Sequence, residues 1–159
     1  MHNSQLKFIY LSLLFAFICL LVPWTGVALS LRPDFMLLVI IYWMLRAPNQ
    51  CNVGTAWFVG LLVDLATGGV FGQYALAYTV TTFVALVYQR RLVLFNNTQQ
   101  LVYVFLLLVL SQIVLLVLKT FAGNGWLGWA YFLPSITGIL IWQLAVMLGL
   151  NTGKHSRGN

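Results

Sequence analysis

Residues 53–72 read VGTAWFVGLLVDLATGGVFG. In this apolar run Ala56, Gly60, Asp64 and Gly68 recur every four positions, which puts them on one face of a helix, and three of the four are small. Inside a membrane such a stripe lets two helices approach closely, so the face is expected to pack against protein rather than lipid. The helix should run over 53–66 and end at Thr67-Gly68-Gly69. Gly72 and Gln73 complete a tight turn into a second apolar helix at 74–88. The Gly68 to Gly72 segment lacks the lysine and the serine or threonine of a phosphate-cradling P-loop, so a turn is the better reading.

The rest of the chain is equally apolar. Of its 159 residues, 62% are hydrophobic and 6% charged, against about 25% charged in a soluble domain. Lipid is the solvent such a chain requires, and the length suits one helical bundle at about 20 residues per span. Upstream, 24 uncharged residues lie between Lys7 and Arg32, enough for a first span at 8–29. Lys7 and Ala28-Leu29-Ser30 also meet a minimal signal-peptide pattern, but the apolar stretch continues past Pro23, which favours a retained helix. Between Asp34 and Arg46 lie 11 uncharged residues, so the helix at 33–46 is short. Downstream, 89–100 is polar, and helices are expected at 101–118 and 129–150. A five-span arrangement, with one of the two short helices re-entrant, is the alternative.

The eight cations punctuate these runs instead of forming a patch, which argues against nucleic acid as a partner. With six spans and a cytoplasmic N-terminus, Lys7, Arg46, Arg90, Arg91, Lys154 and Arg157 fall inside, and Arg32 and Lys119 outside. Six against two obeys the positive-inside rule. Trp24, Trp126 and Trp129 then mark the outer interface, and Tyr10, Tyr42, Trp43 and Tyr88 the inner one. The expected architecture is an all-α polytopic bundle with about six transmembrane helices and both termini inside.

Candidate chemistry is sparse. Cys19 and Cys51 have no histidine nearby and form neither a metal site nor a disulfide framework. The only acids are Asp34 and Asp64, and neither is joined by a nucleophile or an oxyanion donor, so no catalytic, cofactor or metal site is expected. In Arg32-Pro33-Asp34, proline suits the first helical position, a first-turn carboxylate complements the helix dipole, and Arg32 is available as an ion-pair partner. Asp64 admits two readings, structural pairing or function, because an intramembrane carboxylate is costly. Ser111 and Gln112, with Ser135, Thr137, Gly138 and Gln143, suit hydrogen bonding between helices; a polar pocket is the sharper reading.

The ordered set Arg32-Pro33-Asp34-Phe35, Tyr42-Trp43, Asn52-Val53-Gly54, and Gly60, Asp64, Gly68 and Gly72 at four-residue spacing resembles the MreD family of rod shape-determining membrane proteins. The resemblance covers about residues 31–91. It implies a multi-pass protein of the bacterial inner membrane that is not an enzyme. It also implies work with MreC, MreB and the glycosyltransferase and transpeptidase of lateral peptidoglycan synthesis. A further implication is a fold similar to the substrate-binding membrane subunits of vitamin-uptake transporters. That similarity supplies the alternative function, in which Asn124, Trp126, Trp129 and Tyr131 would line an outward pocket. Under the shape-determining reading Ala56, Gly60, Asp64, Gly68 and Gly72 are the candidate packing or partner contacts.

Overall fold

The computed structural model describes residues 2–47, 49–92, 96–123, 125 and 128–153, all helix or connecting turn. The order is α1 (His2–Leu21), a single turn α2 (Val27–Ser30), α3 (Phe35–Arg46), α4 (Val53–Thr67), α5 (Gln73–Leu92), α6 (Asn97–Phe121), a 3-10 turn Trp129–Phe132, and α7 (Leu133–Gly153). Apart from α2, the helices among the described residues have 12 residues or more.

The helix boundaries depart from the hydropathy pattern where capping decides. The helix expected at 8–29 stops at Leu21, because Pro23 has no N–H to donate and disfavours helical backbone at Val22. Gly26, at φ +62°, then turns the chain into α2, and the Trp24 indole donates back to the Cys19 carbonyl at 3.2 Å. At the other expected start, 33–46, Asp34 is the N-cap and the helix begins at Phe35, so Pro33 lies outside it. The polar segment 89–100 is largely helical: α5 runs through Arg90 and Arg91, and α6 starts at Asn97, where Gln99 Oε1 accepts the Asn96 amide at 3.2 Å. Such a capping contact satisfies an orphan donor and lets polar residues open a helix. At α7 the 3-10 turn occupies the expected start, and Pro134 sits in the first α-helical turn, where its missing N–H costs no bond.

α3 lies at the centre, touching α1, α4, α5 and α7, and α4 packs most extensively against α5. Its Met36, Leu37, Ile40, Ile41 and Met44 are buried with Ala56 and Val63 of α4, Tyr78 of α5 and Val104 of α6. Burial explains how α3 stays short: 12 residues rise about 18 Å, less than the roughly 30 Å of bilayer hydrocarbon, but surrounding helices cover it.

The exterior is as apolar as the core. Phe15, Trp57, Phe58, Phe83 and Leu144 are exposed, and Leu65 is 66% exposed beside Asp64 at 2%. On α6, Val102, Leu106, Ile113 and Val117 face outward while Val104, Leu107, Leu108, Ser111 and Leu115 face in. A surface of this kind is one that lipid solvates. Thr98–Phe121 and Trp129–Leu148 are each long and apolar enough to cross a membrane.

The α4–α5 contact is made through backbone. A Cβ added at Gly60 would lie 2.5 Å from Ala75 Cα and 2.7 Å from Ala75 N. Helix propensity favours Gly60→Ala by about 1 kcal/mol, but the clash with main chain forces α4 and α5 apart, and overpacking of that kind costs about 1–3 kcal/mol. Gly60→Ala should therefore lower the thermal midpoint of the detergent-purified protein, whereas Gly69→Ala, with open space around it, should leave it unchanged. Equal midpoints would show that the two helices do not touch there.

Candidate functional site

Asp64 closes the turn that follows its own helix. Its Oδ2 accepts the amides of Gly72 at 3.0 Å and Ala75 at 3.2 Å, and its Oδ1 accepts that of Tyr74 at 2.9 Å. These amides stand at the start of α5, where a helix leaves its first N–H groups without intrahelical partners and presents the positive end of its dipole. The partner of this carboxylate is therefore backbone, on the next helix. Gly60 lets α5 come close enough for the reach, and Ala56 and Gly60 are both buried on the same face.

The two downstream glycines act differently. Gly68 takes φ +64° as the left-handed C-cap of α4, its amide bonded to the Asp64 carbonyl at 3.2 Å, and Gly72 takes φ +97° as it donates to the Asp64 side chain. Neither has a neighbour that an added Cβ would meet. Both are needed for backbone conformation and not for helix contact, since positive φ disfavours any side chain.

Asp34 forms a second cap. Its Oδ1 accepts the Leu37 amide at 3.2 Å and the hydroxyl of Tyr78, which is fully buried on α5. Arg32 does not pair with it; the guanidinium donates to the Leu20 carbonyl at the end of α1. The expected Arg32–Asp34 ion pair is thus replaced by a cap on α3 and a clasp on α1.

Between these groups lies a half-open cavity of about 680 Å³ at one end of the bundle, lined by Arg32, Asp34, Tyr74, Gln112, Lys119 and Tyr131 among others. A smaller one of about 370 Å³ adjoins it, shared by Asp64, Gln73 and Lys119. The Lys119 ammonium stands over the Tyr74 and Tyr131 rings, 5.7 and 5.3 Å from their centroids, a cation–π arrangement. Of the aromatic pocket residues expected from sequence, Tyr131 lines the cavity, Trp129 is 83% exposed, and Asn124 and Trp126 lie outside the described residues. Thr137 reaches from α7 to the Leu31 carbonyl at 2.8 Å, while Ser111 and Ser135 are buried with hydroxyl oxygens unpartnered. Gly138 packs against Leu108, and Gln143 of α7 is half-buried. Tyr74, Tyr78 and Lys119 were not legible as site residues; one signal was available, in two tyrosines a helical turn apart whose hydroxyls need partners when buried.

The sequence matches the family described as rod shape-determining protein MreD over residues 2–150. The chain belongs to the MreD family. It is also 26% identical over 137 residues to the rod shape-determining protein MreD of Haemophilus influenzae, covering 84% of this chain and 82% of that one. No solved structure matches it. The family is one of rod shape-determining proteins, and the residues forming both caps and the cavity all fall inside the matched span.

Within this MreD-family chain, removing the Asp64 side chain leaves three amides without an acceptor. Each orphaned group costs about 1–3 kcal/mol, so Asp64→Ala should destabilise the protein by roughly 3 kcal/mol or more. Asp64→Asn keeps one carbonyl acceptor and should fall between it and wild type. Chemical or thermal unfolding in detergent checks the order; indistinguishable Asp64→Ala and wild-type curves would refute the cap.

Proposed function

We propose that this chain is a non-enzymatic, multi-pass component of the bacterial inner membrane. In this reading it organises lateral peptidoglycan synthesis together with MreC, MreB and the glycosyltransferase and transpeptidase of elongation. The family match across residues 2–150 carries the proposal. The apolar exterior supports residence in lipid, the six longer helices support six passes with both termini on one side, and the excess of Lys and Arg on that side supports its being cytoplasmic. The large cavity is built from the end of α1 (Leu20), the approach to α3 (Arg32, Asp34), the end of α4 (Thr67), the start of α5 (Tyr74), the end of α6 (Lys119) and the approach to α7 (Tyr131). Such alternation is what six antiparallel crossings produce. Arg32 and Lys119, the two cations that the charge count assigns outside, sit together at that end. Packing roles for Ala56 and Gly60, the turn at Gly68 and Gly72, and the two caps at Asp34 and Asp64 serve in this reading to hold helix faces in register for partner helices. The transporter-subunit alternative draws no support from the family match.

Depletion of the protein should convert rods to round cells in medium rich in vitamins, with shape restored by plasmid expression and the chain recovered with MreC from native membranes. Depleted cells that stay rod-shaped, or that recover on vitamin supplements alone, would contradict the function. For topology, a periplasm-active reporter should work when fused after Gln73 or Gly125 and fail after Asn49 or Asn97. Activity after Asn97 would overturn the six-pass arrangement.

A further inference from the structure

The cavity carries donors and acceptors that the fold itself leaves unused. Arg32 has five N–H donors, and among the described residues its hydrogen bond is to the Leu20 carbonyl. Lys119 rests on two tyrosine rings with no acidic side chain in ion-pair contact among the described residues. Gln112, two turns further down α6, is half-buried with its Oε1 unpartnered, and lines the same space. Asp34 adds a carboxylate whose Oδ1 takes the hydrogen bonds from Leu37 and Tyr78, while Oδ2 accepts none among the described residues. Two cations thus meet two acceptors in a half-open space of about 680 Å³, a size that holds a small polar group.

The depth of these groups is informative. Arg32, Asp34, Thr67, Tyr74 and Lys119 are at or near helix ends, which in a membrane bundle is the level of lipid phosphates. Gln112 lies about 10 Å deeper along α6. Large apolar side chains, Val70, Phe71, Phe121 and Trp129, are exposed around the same end, suited to contact with acyl chains or the interface.

We propose that this cavity binds a phosphate-bearing headgroup with free hydroxyls, of the phosphoglycerol class. Lys119 and Arg32 hold the phosphate by charge-assisted hydrogen bonds. Asp34 Oδ2 and Gln112 Oε1 accept the hydroxyls, which accounts for acceptors standing beside two cations. Tyr74 and Tyr131 fix the Lys119 ammonium at the phosphate position. The binding is independent of the cell-shape reading and concerns a ligand which that reading does not require.

The test uses the full chain, purified in a phospholipid-free detergent and titrated with phosphatidylglycerol, phosphatidylcholine or sn-glycerol 3-phosphate, with native mass spectrometry as readout. Phosphatidylglycerol should bind at one saturable site, and phosphatidylcholine, which lacks headgroup hydroxyls and net charge, much more weakly. Lys119→Gln should weaken phosphatidylglycerol binding about ten-fold or more, and Lys119→Arg should restore most of it. Gln112→Leu should narrow the preference for phosphatidylglycerol over phosphatidylcholine. Arg46→Gln, on the α3 terminus opposite the cavity, should change nothing and controls for general charge loss. Binding of sn-glycerol 3-phosphate at the same Lys119-dependent site would identify a soluble source for the same chemistry. No binding by either phosphoglycerol compound, or phosphatidylglycerol binding indifferent to Lys119→Gln, would overturn the proposal.

Discussion

The arrangement rests on one carboxylate accepting three amides across a turn. At the start of α5 the amides of Gly72, Tyr74 and Ala75 converge on Asp64. In water such amides would find solvent, but near lipid an unpaired N–H costs several kcal/mol. Asp64 satisfies them while placing negative charge at the positive end of a helix. The contact needs α5 almost against the main chain of α4, which Gly60 permits. It also needs a turn of positive-φ residues, which Gly68 and Gly72 supply.

Once α5 is anchored, its Tyr78 hydroxyl reaches Asp34, and Asp34 caps α3. Both acids of the chain therefore work at helix N-termini, one from the preceding helix and one from its own. Through Tyr78 the second cap depends on the position fixed by the first. α3, capped and enclosed, carries the central packing, and its neighbours present their apolar faces outward. Cations gather where helices end, and at one end two of them share a cavity with aromatic rings and unengaged acceptors.

Much of this architecture was legible in the sequence because lipid imposes a simple pattern: uncharged runs become helices, and charges fall between them. The four-residue repeat marked the buried face of α4 at Ala56, Gly60 and Asp64, whereas Gly68, just past the helix, is exposed. What the pattern could not give was any interaction that depends on capping or on distance in space. Hydropathy continues smoothly past Pro23, so the break in the first helix was concealed, and the polar residues after Arg91 concealed the start of α6. Gly68 and Gly72 share the spacing of Gly60, yet their role comes from positive φ, which spacing does not encode. Arg32 and Asp34 looked like partners because they are two residues apart. The fold instead offers Arg32 a carbonyl on α1 and Asp34 a tyrosine 44 residues away. Lys119, read only as a loop charge, proves to stand over Tyr74 and Tyr131, which are distant in sequence and close in space.

Amide hydrogen exchange at the start of α5 tests the central claim most directly. In lipid nanodiscs the amides of Gly72, Tyr74 and Ala75 should exchange slowly in the wild-type protein, and should lose protection together in Asp64→Ala while amides in the middle of α6 keep theirs. If those three amides exchange as fast in wild type as in the variant, the carboxylate does not hold the turn, and the account built on it fails.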